Sequence, residues 1–69
     1  MKILSERMRA LRVEKKLRQE DVAKAVGVAF VSYCRYELDE REMKAPTVAA
    51  LADLYGVSAD YLLGRTDER

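Results

Sequence analysis

Apolar residues in this chain recur at helical spacing, in blocks divided by polar or glycine-bearing joints, with no strand-like alternation. Leu4, Met8 and Leu11 fall at i, i+4 and i+7, and Ile3 and Ala10 widen the stripe. Lys2, Arg7, Arg9, Glu14 and Lys15 take the outward positions, which predicts a first amphipathic helix over Met1–Leu17. A second starts near Gln19, where Glu20 and Asp21 place negative charge in the first turn, and buries Val22, Ala23 and Val26. Gly27 stops it, because glycine enters the left-handed region without a Cβ penalty. Val28 plugs the turn, and a third helix runs from about Ala29 to Glu37 with Tyr33 and Tyr36 inward. After the polar stretch Leu38–Ala45, Pro46 suits the first turn of a fourth helix carrying Val48, Leu51, Ala52 and Tyr55, closed by Gly56. Ser58 is a good N-cap for a fifth, with Asp60 in its first turn, Tyr61, Leu62 and Leu63 apolar, and Gly64 at its end. Arg65–Arg69 reads as a flexible polar tail. The pattern predicts an all-α, compact five-helix domain over residues 1–64 with a tail at 65–69.

The stretch Gln19–Leu38 organises the rest. Two short helices meeting steeply at a glycine turn form a helix-turn-helix, the DNA-binding supersecondary unit. Ala23 is small where the two backbones must come close.

Composition narrows the chemistry. Sixty-nine residues allow one domain with a small core. The single Cys34 and the absence of histidine rule out an internal disulfide and make a metal site unexpected. With no Gly-rich phosphate loop and no serine near a plausible base, neither an enzyme nor a bound cofactor is expected. No apolar run approaches the ~20 residues of a membrane span and no signal-peptide core opens the chain, so a cytoplasmic protein away from the membrane is expected. Net charge is only +1, but it is unevenly placed: +5 over residues 1–18, −1 over 19–37 and −3 over 38–69. Such asymmetry can orient a domain on phosphates.

The segments LRQEDVAKAVGV (17–28), RYE (35–37), REM (41–43) and GVSADYLLGRTD (56–67) resemble the lambda-repressor-like, Xre-type helix-turn-helix family of phage repressors and bacterial regulators. The resemblance implies sequence-specific binding of double-stranded DNA by a transcriptional regulator, with two copies on a palindromic operator. Their third helices would then occupy major grooves roughly 34 Å apart. It assigns Gln19 to a DNA phosphate at the start of the second helix and inserts Phe30, Val31 and Ser32 into the major groove, with Cys34 one turn on. Arg35 is placed to reach a phosphate or a guanine edge, and Arg41, Lys44 and the weaker candidate Lys24 to hold backbone phosphates. Arg12 and Glu37 match a pair that braces the third helix to the first. Tyr61, Leu62 and Leu63 are candidates for a homodimer surface.

The chain departs from the family's habit at several positions. Ala29 stands where a Ser or Thr normally caps the third helix, forgoing about 1 kcal/mol. Tyr33 replaces a branched aliphatic, so its hydroxyl must reach a partner or the surface; Asp39 replaces a turning glycine, and Lys44–Ala45 a proline and an aliphatic. Phe30 and Val31 cannot donate hydrogen bonds to bases, which points to thymine methyl contacts or DNA shape. Two other readings stay open: an antitoxin with a toxin partner, and a protein-interaction module built on the Phe30/Val31 patch.

Overall fold

The computed structural model describes residues 1–69 and contains five helices: α1 Lys2–Glu14, α2 Gln19–Val26, α3 Phe30–Glu37, α4 Ala45–Tyr55 and α5 Ala59–Leu62. The predicted stripes are its inner faces. Leu4, Met8 and Leu11 of α1 meet Val22 and Ala23 of α2, Tyr33 of α3, Val48, Leu51, Ala52 and Tyr55 of α4, and Leu62 of α5 in one core. Burying a large apolar side chain stabilises by about 1.5–3 kcal/mol, so these stripes dominate the fold. No helix is long and apolar enough to cross a membrane.

All five helices close the same way. The N–H of the residue directly after each left-handed residue turns back to the carbonyl five positions earlier, as a Schellman motif requires. The pairs are Leu17 to Arg12, Val28 to Ala23, Glu40 to Arg35, Val57 to Ala52 and Arg65 to Asp60, at 2.9–3.1 Å. Glycine supplies the positive φ after α2, α4 and α5, but Lys16 (58°) and Asp39 (57°) supply it after α1 and α3. The Asp39 substitution is therefore accommodated in the left-handed region, while Lys16 cuts α1 three residues short of the predicted Leu17. Leu17 still packs on the core from the loop, which is why the apolar pattern ran on through it.

Two further expectations differ from the structure. Arg7, expected in solvent, is largely buried: its Nη1 donates to the carbonyls of Tyr61 and Thr66 at 2.6 Å, and its guanidinium stacks 4.3 Å above the Tyr61 ring. The cause is its place at i+4 from Ile3 and i−4 from Leu11, on the edge of the stripe that α5 covers. Residues 65–69, expected as a flexible tail, fold back along α1 here. The Ser58 N–H donates to the Arg69 carbonyl at 2.9 Å, and the Arg69 guanidinium makes two 2.8 Å bonds to Glu14. Ser58 does cap α5, accepting the Tyr61 N–H at 3.0 Å.

Candidate nucleic-acid interface

A helix advances about 100° per residue, so one face of α3 must be buried and the other exposed. Tyr33 is fully buried, and Tyr36 packs partly buried on the core. Around the opposite side lie Phe30, Val31, Cys34, Arg35 and Leu38. Phe30 is 51% exposed, Val31 61% and Leu38 66%. Leu38, expected in the connection, stands at i+7 from Val31 and so falls on the same ridge. Ala29 precedes α3 with no side-chain cap, as its chemistry dictates.

The back of α3 is held by a buried carboxylate. Glu37 is 3% exposed and Arg12 15%, and they pair through two bonds: Nε to Oε2 at 2.7 Å and Nη2 to Oε1 at 3.1 Å. The third donor of Arg12, Nη1, caps the Leu17 carbonyl at 3.0 Å and so fixes the loop entering α2. Two more donors converge on the same carboxylate. The Tyr33 hydroxyl bonds Oε2, and Gln19 Nε2 donates to Oε1 at 3.1 Å. Burial alone would raise the Glu37 pKa, but the bonds from Arg12, Tyr33 and Gln19 outweigh it and hold the carboxyl below its ordinary range. The brace between Arg12 and Glu37 thus forms, and Tyr33 finds the partner its hydroxyl needs. Ser5, overlooked in the sequence, is buried on α1 and donates to the Tyr36 carbonyl at 2.6 Å, a second tie between α1 and α3.

The remaining candidates sort onto two flanks. On the α2 side, Gln19 is half-buried and its Oε1 accepts the Cys34 thiol at 3.6 Å, so Gln19, Cys34 and Glu37 form one cluster. On the loop side, Arg41 Nη1 donates to Ser32 Oγ at 3.3 Å, bringing that loop against the first turn of α3. Lys24, Arg35 and Lys44 are exposed and form no hydrogen bond with the others. Lys24, Arg35, Arg41 and Lys44 share one electrostatic property with Arg9, Lys15 and Lys16. None is paired with a carboxylate, whereas Arg7, Arg12, Arg18, Arg65 and Arg69 all are. Of the proposed dimer residues, Leu62 is fully buried in the core and is withdrawn from any surface, since α5 is short enough for one side chain to point wholly inward. Tyr61 and Leu63 are half-buried.

Two short helices closed at Gly27, with α3 braced from behind and bare in front, define a helix-turn-helix of the five-helix, lambda-repressor-like type. The chain belongs to the helix-turn-helix domain family, whose model matches residues 3–63. It is 41% identical over 63 residues to the uncharacterized HTH-type transcriptional regulator YobD of Bacillus subtilis, covering 91% of this chain and 56% of that one. It is 44% identical over 55 residues to the cryptic phage CTXphi transcriptional repressor RstR of Vibrio cholerae, covering 80% and 50%. Its fold superimposes on the P22 c2 repressor of a Salmonella phage, solved in complex with a synthetic operator, with a TM-score of 0.80 and 37% identity over 86% of this chain and 89% of that one. The chain spans about half the length of the curated relatives it matches.

Proposed function

We propose that this chain is the sequence-specific, double-stranded DNA-binding part of a transcriptional regulator of the repressor type, acting by binding and not by catalysis. The observation that carries the reading is the exposed face of α3, flanked by Gln19 on one side and by uncompensated cations on the other. In this reading α3 enters the major groove. Gln19, Lys24, Arg41 and Lys44 hold phosphates, Arg35 reaches a phosphate or a guanine edge, and Ser32 and Cys34 border the bases. Phe30 and Val31 meet thymine methyl groups. The names of the relatives, regulators and repressors, support this reading, as does the likeness to a repressor solved on its operator. One module offers few base contacts, so the reading includes a homodimer on a twofold operator, with Tyr61 and Leu63 as the part of α5 left to contribute.

Binding to a random-sequence duplex, followed by fluorescence anisotropy across a salt series, tests this directly. Three or four phosphate-neutralising cations predict that log K falls with log[salt] at a slope of roughly −2.7 to −3.6 per protomer. Arg35→Ala should weaken binding with the melting midpoint unchanged. No binding, or binding indifferent to salt, would overturn the DNA reading and leave the Phe30/Val31 patch as a surface for a protein.

A further inference from the structure

Gln19 is the only side-chain amide in the chain, which contains no asparagine and no other glutamine. It is held at both ends. Its Nε2 lies 3.1 Å from Glu37 Oε1, and its Oε1 lies 3.6 Å from Cys34 Sγ. A buried ionised carboxylate can only accept hydrogen bonds, so the nitrogen of Gln19 must face it, and the oxygen is turned toward the thiol. One amide hydrogen is then spent on Glu37 and the other is free. That leaves a fixed donor at the first residue of α2 and keeps the carbonyl dipole away from any anion placed there.

We propose that Glu37 and Cys34 are positioning residues for the DNA-phosphate contact of Gln19, beyond Glu37's part in the Arg12 brace; this rests on the DNA reading above. Glu37 sits at the centre of four donors from α1, α2 and α3, two from Arg12 and one each from Tyr33 and Gln19. A shift in any of these helices moves the carboxylate, and with it the amide that meets the backbone of DNA. Cys34 contributes by weak S–H donation from the outer side of α3, one turn beyond Phe30 and Val31. The reading helix and the phosphate contact are thereby coupled by two side chains that need touch no base.

Because Gln19 is unique, a ¹H–¹⁵N correlation spectrum contains a single side-chain NH₂ pair, visible without assignment. The pair should shift in Cys34→Ala and return toward its wild-type position in Cys34→Ser. A random-sequence duplex of roughly 20 bp, two helical turns, should shift one of the two amide protons in the wild type. The binding measurement is a double-mutant cycle with the same duplex. Gln19→Ala should weaken wild-type binding by roughly tenfold, as for a charge-assisted hydrogen bond. In the Cys34→Ala and Glu37→Ala backgrounds the same change should cost less than about threefold. If the losses multiply and the amide pair ignores Cys34, positioning is overturned while the DNA reading stands. If the wild type itself shows no salt-dependent binding, both fail. Should Glu37→Ala not fold, Cys34→Ala decides the question alone.

Discussion

Arg12→Ala removes three hydrogen bonds and leaves Glu37, 3% exposed, with only Tyr33 and Gln19 as donors. Breaking a buried ion pair by deleting one partner destabilises by roughly 3–5 kcal/mol. The lower end applies here, because two donors remain and Arg12 itself is partly reached by water. In a domain of this size each kcal/mol moves the midpoint by roughly 4–8 °C, so about 3 kcal/mol lowers it by roughly 12–24 °C. Arg7→Ala is the strongest rival. It strips two part-buried carbonyls of a donor, about 1 kcal/mol each, while its pairing with the exposed Asp67 adds little. Arg9→Ala, with no ion pair, should stay within about 0.5 kcal/mol of the wild type. Thermal melting by circular dichroism at neutral pH ranks the three. The pH dependence supplies a second check. The folded pKa of Glu37 is lowered from 4.5, so its stabilisation is full above that value and is lost as pH falls through the lowered one. In Arg12→Ala the carboxyl, still buried and without its cation, takes up its proton at higher pH than in the wild type. The deficit of the variant should therefore narrow as the solution is acidified. An Arg12→Ala midpoint no lower than that of Arg7→Ala, or a deficit that widens on acidification, would refute the reasoning.

Two smaller substitutions probe the same region. Tyr55 is buried with its hydroxyl unpartnered, so Tyr55→Phe should raise stability by about 1 kcal/mol in urea denaturation; a loss would mean that the hydroxyl bonds Tyr33 in solution. Ala29→Ser should add the missing cap of α3 and stabilise by about 1 kcal/mol in the same assay, and no gain would show that the α3 amides are already satisfied.

The five helices and nearly every core residue were legible because burial of apolar side chains imposes the 3.6-residue period directly on the sequence. Helix ends were legible where glycine marks the left-handed residue and, for α3, where a polar stretch follows Glu37. Lys16 does the same conformational work as Gly27 and carries no such mark, so α1 was read too long. Polar contacts between distant segments were the least legible. An arginine at the edge of an apolar stripe looks the same whether it ends in water, like Arg9, or on two carbonyls fifty-odd residues away, like Arg7. Arg12 and Glu37 were named through the family resemblance and not through any pattern in the residues; the structure adds Tyr33 and Gln19 to the same carboxylate.

That distinction between compensated and bare charge also separates frame from interface. The +5 balance of residues 1–18 makes the N-terminal third the basic end of the chain. There Lys2, Arg7, Arg12 and Arg18 are paired internally, while Arg9, Lys15 and Lys16 stay bare. The bare cations nearest the exposed face of α3 are Arg35 and Arg41, from segments whose summed charge is negative. Local pairing as well as regional charge decides which cations are left free on the surface. The same face carries an apolar ridge from Val31 to Leu38, seven residues or about 10 Å along α3. At about 3.4 Å per base pair that is roughly three base pairs. In the DNA reading proposed above, the apolar positions of that ridge would discriminate by fit to methyl groups and by groove shape, and Arg35, between Val31 and Leu38, would be its strong hydrogen-bond donor.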